Sequence, residues 1–327
     1  MNYRGLSRRD ALRRTGTIIG AAMLGTGLVR AADGPSASGQ PPSAAPTGKS
    51  FRFCLNTATI RGQKVGIVKQ IEIAAAAGYD ALEPWIDSIQ DYVKGGGSMS
   101  DLRKRAQDSG ISVESAIGFP EWIVDDETRR NAGLERARRE MDLVAQIGGK
   151  RLAAPPSGAT DLPKMDPLKA AERYRALLEI GDQVGVIPQF ELWGFSKNFN
   201  RLGECVWIAM ETGHPKACVL ADIFHMHKGG TDFTGLGLLG PDTVQVLHMN
   251  DYPAEPARDK IDDSFRTYPG DGVAPVPKIL QALGRNGGTK VLSLELFSRK
   301  IWAEDPLAVA KTGLAKMKDV VQKASAG

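Results

Sequence analysis

From Phe51 onward, short apolar runs alternate with longer stretches in which apolar residues recur every three to four positions. The short runs are "FRFCLN" (51–56), "YDALEPW" (79–85), "SVESAIGF" (112–119) and "KRLAAP" (150–155). They continue with "VIPQFELW" (186–193), "ACVLADI" (217–223), "VQVLHMND" (244–251) and "KVLSLELF" (290–297). Runs of this length and composition predict strands, and the longer stretches predict amphipathic helices. "IVKQIEIAAAAG", "NAGLERARREMDLVAQIGG" and "AAERYRALLEIGDQVG" each close on glycine, the residue that most easily takes the left-handed conformation past a helix end. A last helix follows "EDP" and spans 306–324. Between the sixth and seventh strands the chain is short and Gly-rich ("GGTDFTGLGLLG"), which leaves room only for a stub of helix.

Eight strands with helical connections predict an α/β fold, a single (β/α)8 TIM barrel over residues 50–327, for which ~250 residues is typical. The main alternative is a doubly wound open sheet. Its dinucleotide-binding form carries GxGxxG after the first strand, and none follows "FRFCLN".

The chain ahead of the barrel has a different pattern. "SRRDALRR" is a basic stretch with a twin-arginine pair, Arg8 and Arg9, although Ala11 stands where a Phe is usual. The apolar run "TGTIIGAAMLGTGLV" and the small residues of "VRAA" complete a twin-arginine-type signal peptide over 1–31. A retained membrane anchor is the competing reading, but the run is shorter than the ~20 residues needed to span a bilayer. The expected location is therefore extracytoplasmic or periplasmic, with the twin-arginine export machinery as partner of the precursor. Residues 32–49, "ADGPSASGQPPSAAPTGK", have no apolar period and predict a disordered linker.

Charge changes the picture only once it is located. The formal +4 comes from 42 basic and 38 acidic residues, and residues 1–31 hold six of the former against Asp10 alone. The remainder is close to neutral, so the basic excess belongs to the leader and nucleic acid is not an expected partner. Cys54, Cys205 and Cys218 show no CxxC spacing and are expected to be small buried hydrophobes.

In a barrel, chemistry sits at the carboxyl ends of the strands. The fifth strand ends on Glu191, the sixth on Asp222 with His225 just beyond, the seventh on His248 and the eighth on Glu295. A lone strand-end acid is usually solvated or caps a helix. Four such groups ending four consecutive apolar strands make a mixed carboxylate and imidazole set suited to one divalent ion, Mn²⁺ first, with Co²⁺, Mg²⁺ and Zn²⁺ as alternatives. Trp122 and Trp193 are candidates for stacking on a sugar face or for plain packing. Glu83 and Asn56 are candidates for hydroxyl contacts, and Asn56 equally for capping the next turn.

Residues 51–320 resemble the xylose isomerase-like TIM-barrel superfamily of sugar phosphate isomerases and epimerases, which includes ketohexose 3-epimerases and inosose isomerases and dehydratases. The resemblance implies Glu191, Asp222, His248 and Glu295 as metal ligands. It also implies that the Asp-x-x-His motif "DIFH" makes His225 a substrate contact, and that Arg266 in "RTYPGDG" is another. His227 matches nothing in the pattern and is expected in an exposed loop.

The expected activity is isomerisation or epimerisation of a keto sugar or polyol. Glu191 and Glu295 exchange a proton alpha to the carbonyl through a metal-bound enediolate. The alternative is a carbon–oxygen lyase or hydratase that eliminates from 3-keto glycosides or inososes. The same barrel also hosts apurinic endonucleases, whose multinuclear centres need many histidines, and this chain has four in all. A non-catalytic sugar-binding barrel is favoured only if Glu191 and Glu295 stand too far apart to flank one substrate. A small carbohydrate is the expected partner, and a homo-oligomer is allowed.

Overall fold

The apolar runs pair side by side as eight parallel strands. The computed structural model describes residues 51–326; the expected leader with Arg8 and Arg9 and the whole expected linker lie outside them. The strands are β1 (Phe51–Asn56), β2 (Ala81–Glu83), β3 (Ser112–Val113), β4 (Arg151–Ala154), β5 (Ile187–Glu191), β6 (Val219–Asp222), β7 (Val246–Met249) and β8 (Lys290–Leu294). Their order is β3-β2-β1-β8-β7-β6-β5-β4. The two ends of that order join just beyond β3, where Ala116 N donates to Arg151 O (3.1 Å) and Ala153 N to Ala116 O (2.9 Å). The result is a closed (β/α)8 barrel.

Strand alternation divides the core in two. Cys54, Ala81, Ile117, Ala153, Leu220, Val246 and Val291 form a small interior cluster, packed from above by Trp85 and Phe119. A larger apolar shell lies between the strands and the outer helices. Period 2 then places Asn56, Glu83, Asp222, His248 and Ser293 on the interior face, each two residues beyond one of these interior residues. The barrel's lower half is therefore apolar and its upper half polar.

Two elements differ from the sequence pattern. The run 112–119 is a regular strand only at Ser112–Val113. Glu114 N donates to Leu82 O and Ile117 N to Pro84 O, so three steps on one strand face two on the other, which is a bulge. Two helices, Ile86–Lys94 and Met99–Asp108, occupy the β2–β3 connection in place of a single one; they are short and polar, and each buries only two side chains. The expected stub between β6 and β7 is the helix Ile223–Gly229, followed by a 3-10 turn at Phe233–Leu238. The three cysteines are buried and free, as their spacing implied. Among the described residues, no helix is long and apolar enough to cross a membrane.

Candidate metal centre and active site

Strand register assembles the site. Asp222 pairs with His248 across β6 and β7, and His248 pairs with Ser293 across β7 and β8. Glu295 follows β8 directly and donates its backbone N–H to Met249 O (3.1 Å). Four strand ends thus meet around His248. Its Nδ1 lies 3.1 Å from Glu295 Oε2, 3.5 Å from Asp222 Oδ2 and 3.8 Å from Glu191 Oε1. Asp222, His248 and Glu295 offer ligand atoms that all lie within 4.8 Å of one another. Glu191 and Glu295 converge on one nitrogen and so stand close enough to flank one substrate.

The residues fit a divalent cation. His248 Nδ1 is buried without a hydrogen-bond partner, although carboxylate oxygens face it on three sides. Its other nitrogen, Nε2, is 3.1 Å from Glu83 Oε2. A carboxylate on the far nitrogen sets the tautomer and turns the near nitrogen into a ligand. Glu83 is in turn held by Ser293 Oγ (2.5 Å) and Asn56 Nδ2 (2.9 Å). Glu83 is fully buried against His248, Asn56 and Ser293 and does not line the cavity above the centre. Asn56 also serves from below: its Oδ1 caps the turn at Ala58 N and its Nδ2 donates to Glu295 Oε1 (3.1 Å).

Arg266 is placed by a loop that Asp251 pins. Asp251 exchanges backbone hydrogen bonds with Thr267, and its carboxylate accepts from Gly270 N and Ala274 N, both at 2.9 Å. The guanidinium then spends all five of its N–H groups on protein. Nη1 donates to Asp222 Oδ2 (2.7 Å) and Glu295 Oε2 (2.9 Å). Nη2 reaches Asp263 Oδ1 (2.6 Å) and His225 Nε2 (3.1 Å), and Nε reaches Asp263 Oδ1 (2.9 Å). Asp263 was not singled out in the sequence. It lies on a short exposed 3-10 turn, three residues before Arg266, and no strand pattern flags it.

His225 sits one turn into the helix that Asp222 caps, its backbone N–H 2.9 Å from Asp222 Oδ1. Arg266 has no lone pair, so His225 Nε2 accepts and the proton resides on Nδ1, which has no partner. Burial and the Arg266 charge together lower the His225 pKa and keep the ring neutral, against the pull of Asp222. His225 therefore offers one free donor beside the carboxylates.

Electrostatics separate the acids. Burial pushes the Glu191 carboxyl up to about 8, aided by Glu295, Asp222 and Glu83 and opposed by His248. Burial acts the same way on Asp222 but is outweighed by Arg266, His225 and His248, which hold it well below the usual range. Burial would lower the His248 pKa, yet Glu295 and Glu83 raise it.

Above the centre is a cavity of about 190 Å³ lined by Trp85, Phe119, Trp193, Phe195, His225 and Phe297, among others. Trp193 is one of its walls. Gly194 brings that wall in: a Cβ there would stand 2.3 Å from His225 O and 2.8 Å from Gly229 N, so only glycine lets this loop lie on the helix Ile223–Gly229. Trp122 does not line the cavity. It is fully buried, donates from Nε1 to Pro155 O (2.9 Å) and packs on Tyr174 and Phe190. The apolar shell captured it because its ring points outward from the barrel. His227 is not in an exposed loop either; it lies in the helix Ile223–Gly229, stacked on Tyr252 at 3.8 Å. A larger groove of about 770 Å³ runs beside Arg61, Lys69 and Tyr92 on the outer surface, and none of the strand-end acids lines it.

A closed barrel whose carboxyl end carries a buried carboxylate–histidine cluster defines a class of metal-site TIM barrels. The chain belongs to the Xylose isomerase-like TIM barrel family, which matches residues 71–320. It is 25% identical over 251 residues to a 3-dehydroshikimate dehydratase of Pseudomonas aeruginosa, covering 76% of this chain but only 39% of that protein's length. It is 24% identical over 273 residues to an inosose isomerase of Halalkalibacterium halodurans, covering 80% of this chain and 94% of that one. Among solved structures it is similar to the IolI protein with a bound zinc atom, with a TM-score of 0.77 and 22% identity over 84% of this chain and 99% of that one. It is also similar to an L-ribulose 3-epimerase, with a TM-score of 0.69 and 18% identity over 84% and 96%. The named relatives thus include an isomerase, an epimerase and a dehydratase.

Proposed function

We propose that the protein is a divalent-metal-dependent isomerase or epimerase of keto sugars or keto polyols that works by proton transfer next to a carbonyl. The observation that carries this reading is the convergence of Glu191 and Glu295 on His248 Nδ1, at 3.8 and 3.1 Å, beneath the aromatic cavity. Glu191, Asp222, His248 and Glu295 would hold the ion, which supplies Lewis acidity to a carbonyl and its neighbouring hydroxyl; the oxygen-rich set suits Mn²⁺, with Co²⁺, Mg²⁺ and Zn²⁺ as alternatives. Glu191 Oε2 has no partner and is the freer base for the carbon-bound proton. Glu295, steadied by Asn56 and Arg266, returns a proton to the opposite face or to the adjacent carbon. His225 Nδ1–H donates to the substrate oxygen, and Arg266 holds His225 and two of the carboxylates in place. The aromatic walls exclude water from the reacting carbon.

A second reading, carbon–oxygen lyase chemistry on the same carbanion, is favoured by the likeness to 3-dehydroshikimate dehydratases. Proton NMR in D₂O with a panel of keto sugars and inososes tests both. An isomerase or epimerase incorporates deuterium alpha to the carbonyl and returns a sugar of otherwise unchanged mass, whereas a lyase releases water or an aglycone. Undiminished exchange in the E191Q/E295Q double variant would overturn the acid–base assignment. Residues 1–31 are proposed as the export leader; R8K/R9K is expected to leave the precursor in the cytoplasm, and an unchanged periplasmic yield would contradict that.

A further inference from the structure

We infer that the site selects an uncharged polyhydroxy ketone and rejects carboxylate- and phosphate-bearing ones; this rests on the proposed function and narrows its substrate class. The first observation is the charge inventory of the cavity. Its charged lining residues are Glu191, Asp263, Glu295 and Arg266, three acids against one base, with Asp222 directly behind Arg266. Arg266 is the sole cation in that lining, and its five N–H groups are already committed to Asp222, Glu295, Asp263 and His225. An anionic substituent therefore finds no free guanidinium to grip. A divalent ion would hold Glu191 ionised, so Glu191, Asp222 and Glu295 would set three negative charges against its two, while Asp263 offsets Arg266.

The other cations lie outside that lining. Arg61 lies behind the cavity wall, 4.2 Å over the Trp85 ring, with its guanidinium paired to Asp87. Lys228 spends its ammonium on the carbonyls of Asp259 and Ile261. Arg299 and Lys300 are exposed beyond Phe297 and are not part of the lining.

The second observation is what the walls offer instead. Phe297, Trp85, Phe119, Trp193 and Phe195 form a continuous arc with ring centroids 5.2–6.1 Å apart, ending against His225 at 5.6 Å. Such an arc binds the C–H faces of a neutral ring and desolvates it. Desolvating an unpaired carboxylate or phosphate in the same place is costly, and like-charge juxtaposition adds several kcal/mol. Discrimination of at least about 100-fold in favour of neutral ligands follows.

Equilibrium quenching of tryptophan fluorescence tests this on the metal-loaded protein, because Trp85 and Trp193 line the cavity. The probes are a neutral inosose, a neutral ketohexose, 3-dehydroshikimate and a ketohexose phosphate, each followed in parallel for deuterium incorporation. The expected result is saturable quenching by at least one neutral ketone, with both anions weaker by about 100-fold or more. F195R, which sets a free cation at the half-exposed rim, is expected to narrow that gap by at least about tenfold. Equal or tighter binding of either anion by the unmodified protein overturns the inference and leaves the proposed chemistry standing. Neutral preference without deuterium exchange in any ligand does the reverse. Absence of quenching by all four probes overturns the inference.

Discussion

His248 Nε2 and Glu83 Oε2 lie 3.1 Å apart inside the barrel, and that contact turns the opposite nitrogen, Nδ1, onto Glu295, Asp222 and Glu191. Replacing Glu83 with Gln keeps the volume but removes the charge that sets the imidazole tautomer. Metal affinity is expected to fall by about 10- to 100-fold, the usual effect of losing an outer-shell partner. Calorimetric titration with Mn²⁺ or Zn²⁺ measures it, and an unchanged dissociation constant would show that Glu83 is a bystander.

Stoichiometric metal is the next expectation. The purified protein should carry or take up one divalent ion per chain, and chelation should lower its Tm. An ion present at a hundredfold excess over its Kd stabilises the folded state by about 2.7 kcal/mol. Elemental analysis after reconstitution with Mn²⁺, Co²⁺, Mg²⁺ and Zn²⁺ in turn decides the point; finding none bound would remove the metal from the scheme.

Arg266→Ala strips the counter-charge from Asp222, Glu295 and Asp263 at once. In chelator the variant is expected to lose about 3–5 kcal/mol, the cost of leaving buried partners uncompensated. Saturating divalent metal neutralises the same carboxylates and should restore part of that loss. Urea unfolding with and without metal reads both numbers, and a loss that metal does not reduce would separate Arg266 from the metal centre.

The two tryptophans should behave oppositely. Trp122→Ala empties a fully buried site against Tyr174 and Phe190 and should cost about 3–5 kcal/mol of stability. Trp193→Ala opens a cavity wall and should weaken substrate binding while shifting Tm only slightly. A Trp193→Ala protein with the larger Tm loss would exchange their roles.

Glu140 gives a pH signature away from the active site. It is 1% exposed, Arg136 reaches only its Oε1 (2.6 Å), and Oε2 has no partner. Burial raises its pKa against the pull of Arg136 and Arg139. A carboxyl raised in the folded state contributes stability that is full below its unfolded pKa and is lost as pH rises through the folded one. Glu140→Gln should therefore gain Tm relative to the unmodified protein as pH climbs from ~4 to ~8. A constant Tm difference across that range would show that Glu140 ionises normally.

Much of this molecule could be read before folding. Strand period 2 puts Leu220 and Asp222, or Val246 and His248, on one face, so an acid or imidazole ending an apolar run must enter the barrel mouth. That local rule sufficed for the eight strands, for the meeting of Asp222, His248 and Glu295 at three of their ends, and for the helix-start position of His225. It failed where local pattern is silent about direction. Trp122 and Trp193 are both aromatic residues beyond a strand, and only the packing sends one outward onto Tyr174 and the other into the cavity wall between Phe119 and Phe195.

What the tertiary structure alone decided are the contacts between residues far apart in sequence. Glu83 meets His248 across 165 residues, and Asn56 meets Glu295 across 239. Both contacts depend on the sheet closing so that β1 and β2 return beside β7 and β8. Arg266 likewise reads as an ordinary loop arginine until Asp251 pins its turn and three buried acceptors, with Asp263 at the rim, surround it. A side chain's periodicity is set by its own backbone, whereas its partners are set by closure of the whole barrel.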